Sequence, residues 1–127
     1  MIENNYDITF HSLNINYQST IIVTNPALIQ IKNIIKKFQI IGIRLNIKKS
    51  GCLGYIYKIE KVKSFTINDI MYTSKNTKIK LCTPNYLINS YVHGTKIDYI
   101  KNDLNYNFVF YNINISKKCG CGKSFNI

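Results

Sequence analysis

The chain has 127 residues, 46% of them hydrophobic, which is enough to bury one core and too little for two. Its formal net charge is +11, a value that raises the possibility of nucleic acid or an anionic surface as partner. The sixteen lysines are scattered as pairs (Lys36 and Lys37, Lys48 and Lys49, Lys117 and Lys118) and singles, and Arg44 is the sole arginine. That distribution lacks the basic run or arginine cluster of a dedicated nucleic-acid binder. No stretch of about eighteen apolar residues occurs, and the N-terminus shows no basic start followed by an apolar run. A soluble, cytoplasmic protein without a membrane partner is expected. The abundance of Ile, Asn, Lys and Tyr fits an A/T-rich, reduced bacterial genome.

In chain order, residues 1–20 are polar and Asn-rich, and are expected to form a loose N-terminal arm ahead of one domain over 21–127. "TNPALIQIKNIIKKF" then predicts an amphipathic helix. Thr24 caps it, Pro26 sits in the first turn, and Ala27, Leu28, Ile31, Ile34, Ile35 and Phe38 form the buried stripe. In "IIGIRLNIKKSGC", Ile41, Ile43, Leu45 and Ile47 alternate with Gly42, Arg44, Asn46 and Lys48, the period of a half-buried strand. "LGYIYKIEKV" alternates again, which puts Cys52 at a turn between two strands. "NDIMYTS" and "TKIKLC" predict two short strands joined at "KNT". "TPNYLINSYVHG" predicts a second helix, with Thr83 as cap, Pro84 in the first turn and Gly94 as stop. "TKIDYIK" and "NYNFVFYN" close the domain as strands before a tail over 117–127. The fold class is α+β: a compact, β-rich domain with mixed or antiparallel strands and two helices.

The four cysteines carry the chemistry. In a reducing compartment, paired cysteines point to metal or redox chemistry before disulfides. Cys119 and Cys121 are one residue apart in "KKCGCGKSF", so in an extended segment both sulfurs face one side and can hold one metal together. Gly120 and Gly122 remove side-chain bulk beside them, and Lys117, Lys118 and Lys123 favour the thiolates. Cys52 has a similar setting in "SGCLGY". A disulfide across one residue is strained, and a zinc site would want a second close pair. Cys82 ends an apolar run and is expected in the core. His93 is expected to favour a helix C-terminal dipole, and His11 to lie in the arm. Glu60, Asp98 and Asp103 stand apart in sequence, so no general acid/base pair is assigned.

"SGCLGYIY" together with the terminal "CGCGKSF" resembles the A-type iron-sulfur carriers, the IscA/SufA/HesB family, with SufA the nearer in character. The likeness runs from about Thr24 onward through "TNPA", "GIRLNIKKSGC", "HGTKIDYI" and "LNYNFVFYN". It implies a HesB-like fold with a mobile Cys-Gly-Cys tail, working as a homodimer or larger oligomer. It implies also a carrier, not an enzyme, which takes a cluster from an assembly complex and delivers it to apo-proteins. By residue, the resemblance assigns Cys52, Cys119 and Cys121 as ligands of iron or of a 2Fe-2S or 4Fe-4S cluster. Three ligands fall one short of the usual four, which suits a carrier that must release its cargo. Leu53 and Ile113 depart from the family pattern, which usually has a small residue and a proline there. A basic nucleic-acid-binding module and an iron store or sensor are the alternatives.

Overall fold

The computed structural model describes residues 7–13, 18–49, 55–84, 92–102 and 104–112. Eight strands and one helix are found there, in the order β1 (Ile8–Ser12), β2 (Thr20–Val23), α1 (Asn25–Phe38), β3 (Gly42–Lys49), β4 (Tyr55–Val62), β5 (Asp69–Ser74), β6 (Thr77–Pro84), β7 (Thr95–Asn102) and β8 (Asn105–Tyr111). The strands make one sheet ordered β4-β3-β6-β5-β1-β2-β7-β8. β2 with β7 and β3 with β6 are parallel, and the other neighbours are antiparallel. The mixed, β-rich architecture is the expected one.

The helix forms where its capping signals lie. Thr24 Oγ1 accepts the Ala27 N–H at 3.3 Å, satisfying one of the orphan donors of the first turn, and Pro26 occupies that turn. The same hydroxyl donates to Asp98 Oδ1 at 2.7 Å, while Thr24 N–H donates to the Ile97 carbonyl at 3.0 Å. The cap thereby fixes α1 to β7. Ala27, Leu28, Ile31 and Ile34 are buried, whereas Phe38 at the last turn is 42% exposed. Gln39 ends the helix in the left-handed region at φ 53°, with its N–H returning to the Ile35 carbonyl.

Alternation in β3 and β4 sorts side chains between two faces. Ile43, Leu45, Ile47, Tyr57 and Ile59 point into the core with Phe10, Ile21, Val23, Tyr72, Leu81, Phe108 and Phe110. The sheet curls until its two outermost strands meet: the Tyr57 ring of β4 stacks on Phe110 of β8, with centroids 5.2 Å apart and planes 20° from parallel. Both rings are fully buried. Among the described residues no backbone ladder joins β4 to β8, so this nearly closed barrel is sealed by side chains there.

Three expectations are corrected. Ile8–Ser12, expected within a loose arm, form an interior strand paired on both sides, with Phe10 fully buried and His11 opposite Thr20 and Thr73. Thr83 and Pro84, expected as a helix cap and first turn, end β6 opposite Ile70 and Asp69. Pro84 is the final residue of β6, so its missing N–H falls at the end of the ladder with β5 and not within it. Ile41, expected to begin the buried stripe of β3, precedes the strand and is 48% exposed. The body of the second predicted helix and the tail over 117–127 lie outside the described residues. Gly94, predicted as a stop, has φ +84°, a conformation that suits glycine.

Gly42 opens β3 under close cover: a Cβ there would come within 2.7 Å of Phe65 Cζ and 2.8 Å of the Lys80 carbonyl oxygen. The second neighbour is backbone and cannot turn aside. Gly42→Ala is therefore expected to cost about 1–3 kcal/mol, read as a lower midpoint in chemical denaturation with the slope unchanged. An unchanged midpoint would mean that β6 yields at this point.

Candidate metal centre

Cys52, Cys119 and Cys121 lie outside the described residues, and the segments that carry them are located by their flanks. β3 and β4 pair through the final register position Lys49 with Tyr55, so Cys52 belongs to the five-residue connection at this end of the hairpin. Tyr57, two residues beyond Tyr55, is the ring stacked on Phe110. Phe110 is next to last in β8, and Asn112 follows it at 3% exposure. The point where the chain leaves β8 thus falls beside the end of the hairpin that leads to Cys52.

That departure point is held by buried polar contacts. Asn112 Nδ2 donates to Thr95 Oγ1 at 2.8 Å and to the His93 carbonyl at 3.3 Å. His93 Nδ1 accepts the Thr20 N–H at 3.1 Å, a bond that needs a ring lone pair and that an imidazolium could not make. The contact ties His93 to β2, while the body of the helix it was expected to cap lies outside the described residues. Asn112 was not singled out from sequence. Its position just past an alternating strand was the only local signal.

Among the described residues, no three His, Cys, Asp or Glu side chains stand together as a metal site. Cys82 is buried without exposure, as expected. Burial pushes its thiol up to about 12, with the Asp69 carboxylate adding to the rise and Arg44 opposing it. A thiol held protonated in this way is a poor metal ligand.

Arg44, the sole arginine, organises the face of the sheet opposite the main core. Its Nε donates to Asp69 Oδ1 at 2.9 Å and its Nη2 to Asp69 Oδ2 at 2.8 Å, a two-pronged pair, while Nη1 lies 3.7 Å from Glu60 Oε1. The Asp69 side chain is only 3% exposed. Hydrogen bonding from Arg44, helped by the Thr66 N–H and hydroxyl, holds that carboxyl below the usual aspartate range against the opposing effect of burial. The same partner raises the Arg44 pKa. This pair links the start of β5 to β3, 25 positions apart in sequence; the solitary arginine was the available signal for it.

No protein-family model matches the chain. Among curated proteins, Iron-binding protein IscA of Serratia proteamaculans (strain 568) is 38% identical over 87 residues, covering 68% of this chain and 78% of that protein. Iron-binding protein IscA of Yersinia pestis (strain Pestoides F) matches at the same identity and coverage. Among solved structures, Escherichia coli SufA, involved in biosynthesis of iron-sulfur clusters, superposes with a TM-score of 0.68 at 30% identity, over 84% of this chain and 92% of that one. IscA with a 2Fe-2S cluster gives a TM-score of 0.69 at 22% identity, over 84% and 97%, a likeness of fold. No helix among the described residues is long and apolar enough to cross a membrane.

Two outcomes test the chemistry of the outer face. The Asp69 carboxyl is depressed in the folded state, so its stabilisation is full above the ordinary value near 4 and is lost as pH falls through the lowered folded value. Asp69→Asn should cost about 1–3 kcal/mol at neutral pH and make the denaturation midpoint less sensitive to acid below about pH 4; equal acid sensitivity in both proteins would exclude the pair as its source. With Cys52, Cys119 and Cys121 replaced by serine, Cys82 should resist a thiol reagent at pH 8 until denaturant is added. Rapid labelling of the folded protein would contradict its burial.

Proposed function

The chain belongs to the IscA/SufA family of A-type iron-sulfur carriers, and we propose that it holds iron or a 2Fe-2S cluster through Cys52, Cys119 and Cys121 and delivers it to apo-proteins. The relatives are named for iron binding and for iron-sulfur cluster biosynthesis, and the fold neighbour holds a 2Fe-2S cluster. The observation that carries the reading is the Tyr57–Phe110 seam, which sets the hairpin flanking Cys52 beside the exit of β8.

Covalent reach supports it. Cys52 is three residues from Tyr55, a span of at most about 10 Å, and Cys119 is seven residues past Asn112, at most about 25 Å. Two chain segments rooted on either side of one ring stack can therefore bring three sulfurs to one cluster. Cys82 is no competitor, because its thiol is buried and protonated. The cargo is bound as a guest of thiolates, and the cluster supplies iron and sulfide to the acceptor.

With three thiolates per chain, a 2Fe-2S cluster reaches four protein ligands only with help from a second copy. We therefore assign a homodimer or larger homo-oligomer as the loaded form. Delivery is ligand exchange: each iron–sulfur bond to this protein breaks as a bond to an acceptor thiolate forms, with no net change of oxidation state. Each displaced cysteine sulfur takes up the proton that the incoming thiol gives up. An assembly complex is the corresponding donor.

Anaerobic reconstitution of the whole chain with ferrous iron and sulfide is expected to give visible charge-transfer absorption. Cys52→Ser, Cys119→Ser or Cys121→Ser should each abolish or strongly diminish it, and the loaded wild type should activate an apo-ferredoxin. A colourless wild type that takes up zinc stoichiometrically would refute the assignment, and a coloured protein that never activates the acceptor would limit the role to storage.

A further inference from the structure

The last turn of α1 and the residues after it leave apolar side chains at the surface, with Phe38 42% and Ile41 48% exposed. A concavity lies on each side of them. One, of about 580 Å³, is walled by Phe38, Ile40 and Val62 with Lys61 and Lys63 at its margin. The other, of about 440 Å³, is walled by Ile35, Ile41 and Ile79 with Lys32 and Lys78 at its margin. Lys61 Nζ stands 4.1 Å from the centre of the Phe38 ring and Lys37 Nζ 5.3 Å from it. The ring thus holds two ammonium groups beside the apolar centre.

The charge of this face is one-sided. Arg44 also borders the larger concavity, but its guanidinium is engaged by Asp69 and Glu60. Among the described residues, none of Lys32, Lys37, Lys61, Lys63 and Lys78 pairs with a carboxylate. An apolar centre with an unneutralised basic margin complements one kind of occupant. We propose that this face docks an acidic segment of a partner protein through one or two apolar side chains, which enter the concavities while its carboxylates meet the lysines.

Nucleic acid fits less well. The Arg44 guanidinium is already committed and the Phe38 ring is covered by lysines, so this patch offers neither a free arginine for base edges nor an open ring for base stacking. The location also separates docking from the candidate metal centre. The face lies at the start of β3, and Cys52 follows its far end, roughly 25 Å away at about 3.3 Å per residue over the eight residues of the strand. A partner seated here leaves the cysteine end open. Docking itself does not depend on cluster binding, and it is measured on protein without iron.

The probe is a fluorescent twelve-residue peptide of glutamates and aspartates with one leucine and one phenylalanine, followed by anisotropy against the full-length, iron-free protein. Saturable binding is expected, weakened at least tenfold by Lys61→Glu with Lys63→Glu and, separately, by Phe38→Ser. The charge-matched change Lys96→Glu with Lys101→Glu on β7 should weaken it less than threefold. Circular dichroism confirms that each variant is folded, and the surface lysine pair keeps the test open should Phe38→Ser fail to fold. Equal losses in the two lysine pairs would mean attraction by net charge alone and overturn the proposal. So would absence of peptide binding, equal binding of an apolar-free polyglutamate, or preferential binding to a single-stranded oligonucleotide or phosphatidylserine vesicles.

Discussion

Closure of the sheet rests on the contact between Tyr57 and Phe110. These rings belong to the two outermost strands, which share no ladder among the described residues, so what joins them is burial of two large aromatic faces. Aromatic pairs of this kind add about 0.5–1.5 kcal/mol beyond the area they bury. Its positional effect is the greater one. The first residues of β4 and the last of β8 come to the same place, and both segments that carry the candidate ligands start from it.

The polar contacts reinforce that arrangement from behind. Asn112 ties the end of β8 to Thr95 and to the His93 carbonyl, and His93 in turn receives the Thr20 N–H. Thr24 links the helix cap to Asp98. On the opposite face, Arg44 and Asp69 bind β3 to the start of β5, with Glu60 of β4 alongside. Each contact joins segments remote in sequence. The described residues that flank the cysteine segments are therefore framed by long-range bonds.

What was legible in the sequence followed local periodicity. Ile43, Leu45 and Ile47 on β3, and Ala27, Leu28, Ile31 and Ile34 on α1, are buried as their spacing predicts, and the cap at Thr24 forms as its chemistry demands. Ile8–Ser12 escaped notice because five residues beside Asn-rich stretches carry too little pattern, and their burial comes from partners as distant as Thr73. Thr83 and Pro84 misled because Thr-Pro suits both a helix start and a strand's last step; pairing with Ile70 and Asp69 decided for the strand. The spacing of Cys119 and Cys121 suggests a shared metal from sequence alone, and these residues lie outside the described ones. The seam that brings the start of β4 to the end of β8 was not legible, since nothing local to Tyr57 or Phe110 announces the other.

The two outer pairings of the β1–β2 hairpin impose an order on biosynthesis. β2 finds its outer neighbour only in β7, through Ile21 with Thr95 and Val23 with Ile97, and β1 waits for β5. The β1–β2 hairpin must therefore wait for strands made much later before both of its flanks are paired. Contacts this remote make folding slow, and exposed strand edges invite association with other chains meanwhile. Among the described strands β8 comes last, and Cys119 and Cys121 follow it in sequence, so every described strand is synthesised before these two sulfurs.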